Sequence, residues 1–208
     1  MATKYFVNGG VNNLWSNTNN WSTSSGGAGG AGIPGTADVA TFDGNSPNCT
    51  IDGATGYDIG GIDVQSTYTN TWTLNNTISS RGNITLGANM RPILGMGAIG
   101  AQSIGTKNLT TNGIVVPNFY VGSVSVVIAL QDDLYISGVL IGVGGSFSGA
   151  TRTVWVKGVC HVLGSSTFSS TAAVKTLNPV KMYGGSATAS VNAAVSGGLV
   201  GYNQAHTN

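Results

Sequence analysis

At 208 residues the chain is long enough for one sizeable core, yet only 7% of it is charged, against roughly 25% in an ordinary soluble domain. Every acidic residue is Asp, and the eight Lys and Arg are scattered singly, so a net charge of +1 offers nucleic acid or an anionic membrane no electrostatic footprint. The same shortage excludes ordinary amphipathic helices, which need Glu, Lys and Arg three and four apart, while 33 glycines among many Thr, Val, Asn and Ser point to an all-β chain rich in turns.

The opening "MATKYFVNGG" has no charged segment leading into an apolar run, and no stretch approaches the roughly 18 apolar residues of a membrane span. The expectation is a soluble protein made in a cytoplasm, without a membrane partner. Residues 1–53 read as an N-terminal arm or cap with the first strands. Here "LWSNTNNWSTSSGGAGGAGIPG" sets Trp15 and Trp21 in a bed of Asn, Ser and Gly. Two tryptophans in so polar a segment either form a stacking platform for sugar or anchor the segment by burial against its own coil or a neighbour. The anchoring reading is preferred, and Trp15, Trp21 and Phe42 are the candidate partner contacts. In "DVATFDG", Val39 and Thr41 face one way and Ala40 and Phe42 the other. Asp43-Gly44 is expected to supply a positive φ, a device repeated by Asp52-Gly53 in "NCTIDG".

Residues 54–190 read as the body. Short alternating runs are separated by Gly, Asn or Ser, and in the longest of them Val124, Val126, Ile128 and Leu130 share a face that Leu134 and Ile136 resume. A strand–Gly–strand motif recurs at Gly82, Gly113, Gly138 and Gly158, at irregular intervals but on the scale of one structural repeat. A stacked β-coil explains this best; a β-sandwich or jelly roll is the alternative. Residues 191–208 read as a C-terminal tail.

Chemistry is sparse. Asp132 and Asp133 resemble a glycosidase carboxylate pair, but neighbouring strand residues point to opposite faces, so a turn between strands is preferred. "GMGAIG", Gly95 to Gly100, matches a dinucleotide fingerprint in letters but lacks the following helix and acid. No calcium-loop pattern surrounds the remaining Asp residues, and His161 and His206 have no acid or nucleophile nearby in sequence. No catalytic residue, cofactor or metal is therefore expected. Cys49 and Cys160 read as two reduced, partly buried thiols, and Trp72 and Trp155 as packing residues of the domain or of a subunit contact.

The pattern W-S-x-x-x-N-W, a Gly-rich spacer, "IPGTADVATFDG" and then "CTIDG" resembles the start of right-handed parallel β-helix segments found in bacterial autotransporter passengers and phage virion proteins. "ITLGANM", "LTTNGIVV", "IALQDDLYISGVLI" and "TVWVKGVCHV" look like its successive rungs. Without a secretion signal, and with too few residues for a passenger plus a membrane barrel, the phage-like case is the one implied. That resemblance implies a non-enzymatic virion structural protein, of the capsid decoration or cement type. Such a protein would be homotrimeric, located in the virion, and in contact with the major capsid protein or another virion protein. A tail fibre or receptor-binding spike is the first alternative, with a host surface glycan as partner. A polysaccharide-degrading, tailspike-like enzyme is the second.

Overall fold

Strands of two to six residues, many of them ended by Gly, Asn or Asp, are too short to make a broad sheet by hairpins, and they pair instead with the equivalent strand one turn of chain later. The computed structural model describes residues 1–163 except 124 and 150, and beyond them the strands Phe168–Ser170, Ala173–Thr176, Val180–Tyr183, Ala189–Val191 and Leu199–Val200. The expected tail, with His206, lies outside the described residues apart from Val191 and Leu199–Val200, as does Val124.

The chain winds into a β-solenoid of about 6 turns, with 42% of residues in strands. The first full coil runs Asp38–Phe42, Cys49–Ile51 and Tyr57–Ile59, one strand on each of three faces. The next coil begins at Gly61–Val64, which pairs in parallel with Asp38–Phe42, Ala40 opposite Ile62. This first-face ladder crosses residue 53 without interruption. Among the described residues one pairing is antiparallel, Ala2–Phe6 with Trp21–Ser22, at the N-terminal end. Parallel order throughout the body rules out the sandwich alternative, whose sheets are antiparallel.

On the third face Tyr57, Ile78, Ile99, Phe119, Leu140 and Cys160 stand in register in successive coils, a repeat of 20 or 21 residues. The repeat explains the irregular glycine spacing. Gly138 and Gly158 occupy the same corner one coil apart, and a Cβ on Gly158 would lie 2.2 Å from the Gly138 carbonyl oxygen. Gly82 instead leads into the first face, and Gly113 turns at a φ of 77° into the second. The longer intervals were therefore distances between different corners. The second face is split: Leu94–Gly95 pairs back to Trp72–Leu74, and Val115–Val116 opens a separate ladder with Leu134–Ile136, Thr153–Val156 and Ala173–Thr176.

Inward positions alternate as expected, with Ala40 and Phe42, then Val126, Ile128 and Leu130, then Leu134 and Ile136 all buried. The Asp-Gly expectation is half corrected. Gly53 has a φ of 102°, but Gly44 is not left-handed; Asp43 makes that turn with its side chain, Oδ1 accepting from the Asn45 N–H at 2.9 Å.

Low charge raises the question of what ties coil to coil at the corners, where backbone pairing lapses. Asn amides do much of it. The side-chain amides of Asn70, Asn76, Asn89 and Asn118 each donate, at 2.8 Å, to a carbonyl oxygen of the preceding coil: Ser46, Gly53, Ser66 and Met96. Asp132 and Asp133 complete the scheme. Asp132 reaches back a coil and accepts from the Thr111 N–H at 2.9 Å, the Thr111 hydroxyl at 3.2 Å and the Asn112 N–H. Asp133 reaches forward and accepts from the Thr153 N–H at 2.8 Å. Two adjacent carboxylates pointing in opposite axial directions clamp three coils and do not face a common substrate.

Asp132→Ala leaves two backbone donors without a partner and is expected to cost about 2–3 kcal/mol, part of it recovered in Asp132→Asn. Urea unfolding checks this; a loss below about 0.5 kcal/mol, the range of ordinary surface substitutions, would mean that the clamp is idle.

Candidate functional site

The residues expected to touch a partner lie inside the chain. Trp15, Trp21 and Phe42 are each 0% exposed, and they form with Phe6 and Trp72 an aromatic plug over the N-terminal end of the coil. Trp15 and Trp21 meet edge to face with centroids 4.5 Å apart, Trp21 meets Phe6 at 5.1 Å, and Phe42 meets Trp72 at 4.7 Å. As interior groups the three present no surface to a second molecule.

The polar bed around the tryptophans satisfies the backbone that folds over them. The Trp21 indole N–H donates to the Trp15 carbonyl at 2.9 Å. Buried Asn20 donates to the carbonyls of Asn12 at 2.6 Å and Leu14 at 2.9 Å and accepts from the Gly10 N–H. Trp15 N–H donates to the Thr50 carbonyl, and Thr50 N–H to that of Asn13, so the segment adds a short ladder beside Cys49–Ile51. Asp52 accepts from both the N–H and the hydroxyl of Ser16. The Gly-rich spacer is needed for close approach: a Cβ on Gly29 would lie 1.7 Å from the Asn19 carbonyl oxygen. The indole N–H groups of Trp15 and Trp72 and the hydroxyl of Thr41 are buried without a hydrogen-bond partner, at about 1–3 kcal/mol each. Five large aromatic side chains at roughly 1.5–3 kcal/mol of burial apiece outweigh that.

Two exposed features remain, each on a different face. The second face carries an apolar stripe. Among the described residues, every large apolar side chain that is both exposed and in a strand stands there: Leu94 (54%), Val115 (47%), Tyr135 (38%) and Trp155 (39%). Val115 pairs with Tyr135, and Tyr135 with Trp155, so these columns align coil to coil. The rings of Tyr135 and Trp155 are nearly parallel, 4° apart, with centroids at 6.5 Å. Trp155 is thus an outward residue, unlike Trp72.

The third face carries a groove of about 390 Å³. Its outward column reads Asp58, Ser79, Gly100, Tyr120, Ile141 and His161 in successive coils. Small residues in the second and third of these coils leave a depression between Asp58 and Tyr120, bordered by Tyr57, Thr77 and Gln102. Asp58 is held by a bidentate ion pair with Arg81, at 2.9 Å to Nε and 2.5 Å to Nη2. The Ser79 hydroxyl accepts from the Gln102 amide at 3.1 Å. Burial first, and then the nearby Asp52 carboxylate, push the Tyr57 hydroxyl up to about 12, so it stays a neutral donor toward Asp52. A depression of the same volume, about 390 Å³, lies on the first face between Gly61, Asn83 and Lys107.

Cys49 and Cys160 are buried, unbridged thiols; desolvation raises both, Cys160 to about 12, so neither is a nucleophile at neutral pH. Among the described residues no group of three His, Cys or Asp comes together as a metal site. No helix among them is long and apolar enough to cross a membrane. No protein-family model, curated protein or solved structure matches the chain.

Because Trp15 and Trp21 share one core with Phe42 and Trp72, Trp15→Ala and Trp21→Ala are each expected to cost about 3–5 kcal/mol, with the double variant less than additive because the rings touch. They should lower the unfolding midpoint of the whole body, as followed by far-UV circular dichroism in urea. A double variant of unchanged stability that merely loses assembly would instead make this segment a detachable arm.

Proposed function

We propose that the chain is a non-enzymatic structural protein built for side-by-side assembly, of the virion-surface kind its sequence resembles: a capsid decoration or cement protein acting as a homotrimer on a shell protein. The observation that carries this reading is the outward apolar column Val115, Tyr135 and Trp155, with Leu94 on the other segment of the same split face. Contiguous apolar surface of this kind, on a face otherwise built from inward apolar and outward polar residues, marks an interaction site. It runs along the coil axis, so copies with parallel axes packed about a common symmetry axis bring their stripes together coil by coil. Aromatic residues at the centre of such a contact carry most of its binding energy. Trp15 and Trp21 leave no bare core at the N-terminal end, which favours lateral over end-to-end contact there. Few charges suit a contact that must hold over varying salt.

The groove on the third face supports a second reading, a receptor-binding fibre or spike, because it combines an aromatic ring with polar side chains on an open surface. The tailspike-like enzyme has less support, since Asp132 and Asp133 are spent on backbone donors of neighbouring coils.

Sedimentation equilibrium tests the assembly. The native chain is expected at three times its 21.0 kDa mass, with Tyr135→Asp and Trp155→Asp shifting it to monomer without loss of circular dichroism. A native chain that is monomeric at micromolar concentration, or variants that assemble normally, would overturn the reading. Copies per purified particle then separate a decoration protein, present at many shell sites, from a fibre, present at few.

A further inference from the structure

We propose that the third-face groove is a binding site for a neutral saccharide. Its shape follows from side chains that are missing. With coils about 4.8 Å apart, Asp58 and Tyr120 stand three coils, about 14 Å, from each other, and the column between them holds only Gly100 and the buried Ser79, whose hydroxyl accepts from the Gln102 amide. The trough is bordered by Thr77 and the Gln102 amide, with an ion pair at one end and an aromatic ring at the other.

The ring is set down flat by glycine. A Cβ on Gly122 would lie 2.6 Å from Tyr120 Cε1, and one on Gly100 3.4 Å from Tyr120 Cδ1. Tyr120 can therefore lie along the sheet over its own strand and the preceding one, where any larger residue would lift it. Lying so, and half-buried, the ring borders the groove. The apolar CH face of a pyranose stacks on such a surface, and Ile141 extends it.

The polar groups select against other ligands. Asp58 is neutralised by Arg81, so the groove holds no unpaired charge for an ionic ligand to meet. A wholly apolar ligand would strip water from Asp58, Arg81, Thr77 and Gln102 with nothing in return. Sugar hydroxyls donate and accept at once, which matches a carboxylate, a guanidinium, a hydroxyl and a side-chain amide. One aromatic wall with a few convergent polar groups is the usual make-up of a small-ligand site. The groove lies on a different face from the apolar stripe, so saccharide binding and assembly can fail separately.

The test is saturation-transfer NMR on the full chain with the methyl glycosides of glucose, galactose, N-acetylglucosamine and rhamnose, and glucuronate as a charged control. Saturation is expected to reach at least one neutral glycoside. Tyr120→Ala is expected to weaken that binding at least tenfold, with Tyr135→Ala leaving it unchanged. If Tyr120→Ala does not fold, Gln102→Ala must weaken the same glycoside. Transfer to none of the neutral glycosides at millimolar concentration would overturn the proposal. So would transfer to glucuronate alone, or binding that survives Tyr120→Ala and is lost in Tyr135→Ala.

Discussion

Every feature of this molecule depends on one constraint: each coil must return to the same three corners after about 20 residues so that its strands pair in parallel with the coil before. Parallel pairing in register stacks each side chain on its counterpart in the next coil. Inward columns such as Ile78, Ile99, Phe119 and Leu140 become a continuous core. Outward columns become stripes, so a surface property set in one coil is carried along the axis by the next. With few charges available, the corners are held by Asn amides and by Asp132 and Asp133, which convert side-chain polarity into contacts between coils.

The N-terminal end needs a different solution. A stacked coil ends in an unpaired strand and an uncovered core, and both are hazards for aggregation. Here Ala2–Phe6 and Trp21–Ser22 finish the first-face sheet, the second of them antiparallel, while Trp15 and Trp21 fill the end of the core. Lys4 ties the added strand to Asp38 at 3.2 Å. The Gly35 N–H, more than Lys4, holds the Asp38 carboxyl below its usual range.

Much of this is legible in the sequence. Alternation places Ala40 and Phe42, and Ile128 and Leu130, on the inward side, because a half-buried strand permits no other pattern. The tryptophans of the polar segment read as a cap, since Asn and Gly around them can satisfy and accommodate folded backbone. Coil against sandwich is harder, because a strand's partner lies a full turn away and glycines from different corners blur the repeat. The turn at Asp43-Gly44 is misread because Asp serves an Asx turn as readily as a left-handed glycine serves a tight one. Trp15, Trp21 and Phe42, expected as partner contacts, are interior, because an apolar pattern in sequence cannot distinguish the core of one chain from the core of an interface. The two surface features escape for one reason. Tyr135 is visibly opposite to Leu134 and Ile136, but only the register brings it to Trp155. The groove is made by Ser79 and Gly100, whose significance is the side chain they lack.

The division of work between the second and third faces is the centre of the account, and photo-crosslinking addresses it directly. With p-benzoylphenylalanine at position 135, irradiation of the purified chain is expected to give covalent chain-to-chain products, whereas the same group at position 120 gives none. Equal yields at the two positions, or none at 135, would contradict the assignment of assembly to the second face.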